Sequence, residues 1–339
     1  NENNFFINIF LGFTVISFIV TLSHFFFKIN LAISSLIFFI GLVIYIKKNI
    51  NFSFEFIKKN IFYIIIAFLL IPMFISQKYH EDFGYYHLPY ALSFIEEKIV
   101  FGFANIDKPF VYNSIWLNLY PIFFSENKNF DFLMLPGFLL FLSFTMFSIN
   151  KILNKKYIEI SDYYLTIILF FFLLKFTRIS EFGVDFPASI FSILSIYYFI
   201  KFNETNEEIR KKSFFYLNLT FAIFSILIKL STAPIIIFPF YLYLLNFKSL
   251  KFYIFKEKFF IIYTLSFAFF IQQFIYTGCF LFPTNWTCLE VSWFNVDSIS
   301  LSKQLELTNK SYSEAKNIYS PEEYLKNFTW FSFWIKRNF

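Results

Sequence analysis

Residues able to do chemistry are few in this chain, and they come in clusters. Glu81, Asp82 and His87 stand together just after a long apolar run, in a stretch from Glu81 to Trp116 that is neither a greasy helix nor a short basic loop. An ionised carboxylate there can bind a divalent metal such as magnesium or manganese, take a proton from an acceptor hydroxyl, or both, and histidine can serve as ligand or proton carrier. The bland alternative is that Asp82 merely caps the start of a loop helix. A second pair, Glu181 and Asp185, is spaced i,i+4 ahead of an apolar run whose Pro187 suits a first helical turn. Asp185 can equally be a plain partner of the helix dipole. Lys229 ends another apolar run, where a lysine either snorkels to headgroups or pairs with the phosphate of a lipid substrate. Cys279 and Cys288 are the only cysteines, and an even pair in an oxidising compartment reads as a disulfide.

The elements that must position these residues are membrane helices. Of 339 residues, 58% are apolar and 15% charged. Apolar blocks run at about 5–26, 31–46, 61–76, 131–149, 163–177, 185–200, 214–230, 232–246 and 259–276, lengths near that needed to cross a hydrocarbon core. They predict an all-α, polytopic integral membrane protein of about nine transmembrane helices. The first block has an acidic flank and no small-residue cleavage site, so it reads as a retained helix and not a signal peptide. Loops near 47–60, 150–162, 201–213 and 247–258 carry most of the lysines, Lys201, Lys211 and Lys212 among them, and the positive-inside rule makes that set cytoplasmic. Both acidic clusters, Lys229 and the cysteines then share the opposite face.

Four regions follow: N-terminal helices 1–76, an outer loop 77–130, a helical bundle 131–276 and an outer C-terminal segment 277–339. Within the outer loop, Leu88, Leu92, Ile95 and Ile99 recur at helical spacing with Glu96, Glu97 and Lys98 elsewhere. This predicts a helix lying in the interface plane or packed on its own bundle. The terminal aromatic run from Phe328 to Trp334 is too short to span; it is a re-entrant or interfacial piece, or the start of a helix cut short.

Composition also excludes classes. The net charge of +6 lies in short loops between apolar blocks, which leaves nothing for nucleic acid. The 60 phenylalanines match the codon bias of an AT-rich genome and are not read as a base-stacking platform. No Walker loop, GxGxxG, zinc spacing or nucleophile motif is present. A transporter would place charges at the bilayer midplane within broken helices, whereas these lie at helix ends.

Several of these residues carry a resemblance. Asp82 with Tyr86-His87-Leu88-Pro89, Gly102-Phe103-Ala104-Asn105 and Asn113-Ser114-Ile115-Trp116 are similar to the signature of the LIC_10190-type membrane proteins. Further on, SEFGVDFPA, IKLS and TGCFLFPTNWTC resemble later motifs of that family, in the same order, over about residues 77 to 290. Those proteins resemble the GT-C superfamily of glycosyltransferases that use polyprenyl-phosphate sugars. Phe103 and Lys108 stand where the family usually has Leu and Arg. The resemblance implies a GT-C-like fold and transfer of a sugar from a polyprenyl phosphate to a glycan or lipid acceptor on the periplasmic face of a bacterial inner membrane, in cell-envelope polysaccharide biosynthesis. It implies Asp82 as the residue that activates the acceptor, alone or through a metal, with Glu81, His87, Glu181 and Asp185 beside it. Lys229 and Arg178 would meet the lipid phosphate, and Tyr86 and Asn113 would contact substrate. A polysaccharide polymerase or ligase, or a lipid-linked glycan transporter, is the alternative; a polymerase or ligase should carry outer-loop arginines, of which Arg178 is the one present.

Overall fold

The computed structural model describes residues 2–48, 61–75, 82–106, 108–123, 132, 134–153, 159–175, 182–282, 284–293, 300, 303–304, 306–308, 310–326 and 328–338. These are mostly helical, with no strand among them and one isolated bridge between Cys279 and Cys288. Apolar stretches this long fold as helices because a helix satisfies every backbone polar group within its own segment.

Among the described residues the α-helices of six residues or more are α1 (Glu2–Phe26), α2 (Leu31–Lys48), α3 (Ile61–Ile75), α4 (Leu88–Glu96), α5 (Leu135–Leu153), α6 (Ile160–Leu174), α7 (Asp185–Glu204), α8 (Glu208–Ile228), α9 (Ile237–Leu245), α10 (Phe260–Thr277), α11 (Pro321–Lys326) and α12 (Trp330–Asn338). The described parts of all nine apolar blocks overlap helices. Among the described residues four segments, Phe5–Phe26, Leu135–Leu153, Glu208–Ile228 and Glu257–Thr277, are long and apolar enough to cross a membrane. A fifth is added if Leu230–Leu245 and Phe247–Phe255, bent by 99°, form one broken span. The apolar parts of α2, α3 and α6 run 10–17 residues.

Two compact units divide the chain: residues 1–99 with 113–269, and 100–112 with 270–339. This cut differs from the four regions drawn on the sequence, because 100–112 leaves the outer loop to pack with the C-terminal part.

In the larger unit, α7 and α8 form an antiparallel hairpin across the short connection at Thr205–Glu207. Small and polar residues let the two backbones approach. Asn218 donates to the Ser195 carbonyl at 2.8 Å while Ser195 donates back to the Asn218 carbonyl at 3.0 Å. Around the hairpin the phenylalanines interlock edge to face: Phe10 on Phe147 at 5.8 Å, Phe147 on Tyr197 at 5.4 Å, Phe191 on Phe224 at 4.7 Å. Such pairs add roughly 0.5–1.5 kcal/mol each beyond their buried area.

At the end of the hairpin where α7 stops, Lys201 is not the solvated loop lysine that charge counting made it. Its amine pairs with Glu159, with Glu204 at 3.2 Å and with Asp162 at 3.9 Å. Glu159 and Asp162 form the capping box that starts α6, and Ser161 donates its backbone N–H and its hydroxyl to Glu204, at 2.9 and 2.7 Å.

Helix α4 packs on its own bundle, one of the two placements expected of it, but not by the stripe of Leu88, Leu92, Ile95 and Ile99. Its buried stripe is His87, Tyr90, Ala91 and Phe94, while Leu88, Leu92 and Ile95 are half-buried and Ile99 lies beyond its end. The physical reason is a stack of His24 on Phe94, centroids 3.5 Å apart, and a set of buried hydrogen bonds beneath Tyr90. These fix α4 against α1 by its aromatic face.

The smaller unit is stapled by the Cys279–Cys288 disulfide, packed among Ala104, Val111 and Phe282. Gly102 has φ +70°, and its N–H donates to the Ile275 carbonyl at 2.8 Å. A Cβ there would lie 3.0 Å from Trp293 Cβ, so glycine is required for both conformation and space. Asn105 donates to the Trp293 carbonyl at 2.8 Å, and Gln273 to that of Val111 at 2.9 Å.

Candidate functional site

The antiparallel hairpin brings the first residue of α7 beside the last turn of α8. Asp185 opens α7 and Lys229 closes α8, and the Lys229 amine donates to the Asp185 carboxylate. Their side chains are 76% and 39% exposed, so the pair is worth little to stability, about 0–1 kcal/mol, and is open to an exchange of partners.

The backbone under the pair is held closely. Ser225 donates to the Ala188 carbonyl at 2.8 Å. The hydroxyls of Ser192, Ser225 and Thr232 stand 2.7 and 3.0 Å apart in a chain, which ends where Thr232 donates to the Lys229 carbonyl at 2.9 Å. From the segment after α4, the Ile115 N–H donates to the Leu227 carbonyl at 3.1 Å and the Ser114 hydroxyl to that of Ile228 at 2.7 Å. The Asn113–Trp116 step therefore clamps the residues immediately before Lys229.

A second strap comes from the segment carrying Asp82. Phe83–His87 is a π-helix leading into α4, a rare conformation that recurs at functional sites. Asp82 occupies its N-cap position, half-buried, and its side chain makes no capping hydrogen bond. The capping role weighed on the sequence is thus not the one it plays. The π-helix reaches the run before Asp185 through Phe182, a buried ring contacted by Phe83 at 4.9 Å, by His87 at 6.0 Å and by Tyr120, stacked at 4.2 Å. Gly183 adds to this contact, since a Cβ there would lie 3.7 Å from His87 Cε1. Burial pushes the Tyr120 phenol far above its ordinary value and keeps it neutral.

His87 is buried with Tyr86 against it at 4.3 Å, and Tyr86 itself is half-buried. Asn113 accepts from Tyr90 at 2.6 Å; Tyr90 also reaches Asn118 at 2.9 Å, and Asn118 donates to Thr21 at 2.9 Å. Asn113 thus helps to set the loop in place. Glu81, Arg178 and Glu181 lie outside the described residues. Cys279 and Cys288 belong to the smaller unit. Among the described residues no three of His, Cys, Asp and Glu are grouped so as to hold a metal ion, and no step below runs through one.

Charge-based reading of the sequence missed Phe182, the serine chain and the Lys201 cluster. A signal for the serine chain was present. Ala188, Ser192 and Ser195 repeat at i,i+4,i+7, as do Asn218, Ala222 and Ser225, a matched pair of small-residue stripes that marks two closely packed helices. Phe182 offered no signal among 60 phenylalanines.

The profile of a family described as Domain of unknown function (DUF8201) matches residues 1–339. No curated protein and no solved structure matches the chain.

Proposed function

The chain belongs to the DUF8201 family, and for this member we propose a membrane glycosyltransferase of GT-C type that moves a sugar from a polyprenyl phosphate to a glycan or lipid acceptor. The observation that carries the reading is the Lys229–Asp185 pair at the exposed mouth of the α7–α8 hairpin, strapped to the π-helix that bears Asp82 and His87. In the reaction an acceptor hydroxyl oxygen attacks the anomeric carbon, the bond from that carbon to the phosphate oxygen breaks, and the lipid phosphate leaves with the electron pair. Asp82 takes the hydroxyl proton. Lys229 exchanges Asp185 for the phosphate and neutralises the charge that grows on it. Binding from the bilayer suits a donor whose chain is a lipid, and the apolar helices are consistent with a membrane protein.

The test is transfer by the full chain in liposomes, with polyprenyl-phosphate sugars labelled in the sugar. Replacing Lys229 with methionine should raise KM for the donor by about tenfold or more, the scale of one charge-assisted hydrogen bond, with a smaller change in kcat. Failure to release lipid phosphate from any such donor, or an unchanged KM in the variant, would sink the proposal.

Lysine distribution further supports placing the Asp82 segment on the periplasmic side of a bacterial inner membrane. Lys98 and Lys256 are both exposed, one in each set of loops. A membrane-impermeant thiol reagent added outside should label Lys98→Cys and spare Lys256→Cys; the reverse pattern would invert the orientation.

A further inference from the structure

In the smaller unit, α12 is attached by one face and bare on another. Phe333 packs on Tyr324 at 5.9 Å and Tyr319 at 6.3 Å, which fixes the helix to the segment around α11. The opposite side carries Phe331 and Ile335, spaced i,i+4 and 50% and 40% exposed, and Phe328 just before the helix is 74% exposed. No acidic residue lies in α12, and its last turn ends in Lys336 and Arg337, both exposed.

Phe328 stands two residues before the helix with φ +53°; its carbonyl accepts the Phe331 N–H at 3.0 Å and its ring lies 5.7 Å from that of Trp330, so the turn that opens α12 carries a further exposed ring.

We infer that α12 is an interfacial anchor lying in the headgroup region of an anionic lipid leaflet. A short helix with rings on one side and cations at its end matches that chemistry: the apolar stripe enters the acyl boundary, and the cations meet lipid phosphates. The contact need not be strong alone. Residues of α10, a segment long and apolar enough to cross a membrane, continue into this unit, so the anchor is tethered to the bilayer and acts at high effective concentration. A second copy of the chain would bury the same rings but gives no role to the two cations.

The test uses the full chain in liposomes of phosphatidylcholine, alone or with phosphatidylglycerol, carrying a nitroxide at Ile335→Cys or, as a control in the same unit, at Glu322→Cys. Cys279 and Cys288 are bonded to each other and do not take the label. With phosphatidylglycerol present, the Ile335 label should be accessible to oxygen and shielded from a water-soluble nickel complex, and the Glu322 label the reverse. Adding Lys336→Gln and Arg337→Gln should shift the partition of the Ile335 label toward water by about fivefold for each basic residue removed. A label at Ile335 as open to nickel as that at Glu322 overturns the anchor. Spin–spin broadening that grows with the protein-to-lipid ratio shows instead a second copy on this face, and equal shielding without phosphatidylglycerol overturns the anionic preference.

Discussion

Replacing Lys201 with methionine should cost about 3–5 kcal/mol of stability, the scale of leaving buried carboxylates without their cation. The amine lies within ion-pairing distance of Glu159, Asp162 and Glu204, and the Asp162 side chain has no exposed surface. Methionine keeps most of the length and apolar contact of the lysine stem, so the loss reads charge and not volume. The cluster joins the start of α6 to the end of α7, and without the cation three carboxylates face one another across the joint. Lys212→Met is the control. Its pair with Glu208 is exposed at the carboxylate and half-exposed at the lysine, and such pairs contribute about 0–1 kcal/mol. Thermal unfolding of the two variants in detergent should differ by several degrees or more. Equal losses would show that the Lys201 cluster is solvated and holds nothing together.

The Asp82→Asn variant should lower sugar transfer by roughly a hundredfold or more, the usual scale for losing a positioned base. Asparagine preserves the shape of this half-buried side chain, which makes no capping hydrogen bond to its helix. Thermal unfolding measured on the same sample separates loss of the base from loss of the fold. Glu96→Gln and Glu97→Gln remove charge from exposed positions on the same loop and should leave transfer near wild type. Normal transfer by Asp82→Asn together with loss in Asp185→Asn would move the base to the first residue of α7, where the lysine already sits. Loss of kcat in Asp185→Asn with kcat kept in Asp82→Asn distinguishes the two assignments, and the base would then stand beside the lysine that meets the phosphate.

Much of the helical layout was legible because it is local. Apolar runs such as Phe5–Phe26 and Leu135–Leu153 bury backbone polar groups within one segment, so hydropathy alone marks them. Pairing two lone cysteines needed only their count. Which charges meet was another matter. Lys201 reads as a loop lysine because counting charges along the chain cannot see that α6, α7 and their caps converge. Asp185 and Lys229 were each read correctly as residues of helix ends, but their pairing follows from the α7–α8 turn folding two helices of similar length back to back.

What the sequence by itself determined is an all-helical chain with apolar segments fit for a membrane and its ionisable residues gathered at helix ends. The tertiary structure decided the rest: that Phe182 joins the π-helix to the approach of Asp185, that α4 buries Tyr90 and Phe94 and not its leucines, and that residues 100–112 leave the outer loop for the disulfide-bonded unit. The physical reason is range. Hydropathy and capping act over a few residues along one helix, whereas a ring stack, a buried ion cluster or a serine hydroxyl beneath a lysine depends on which distant segments are packed side by side.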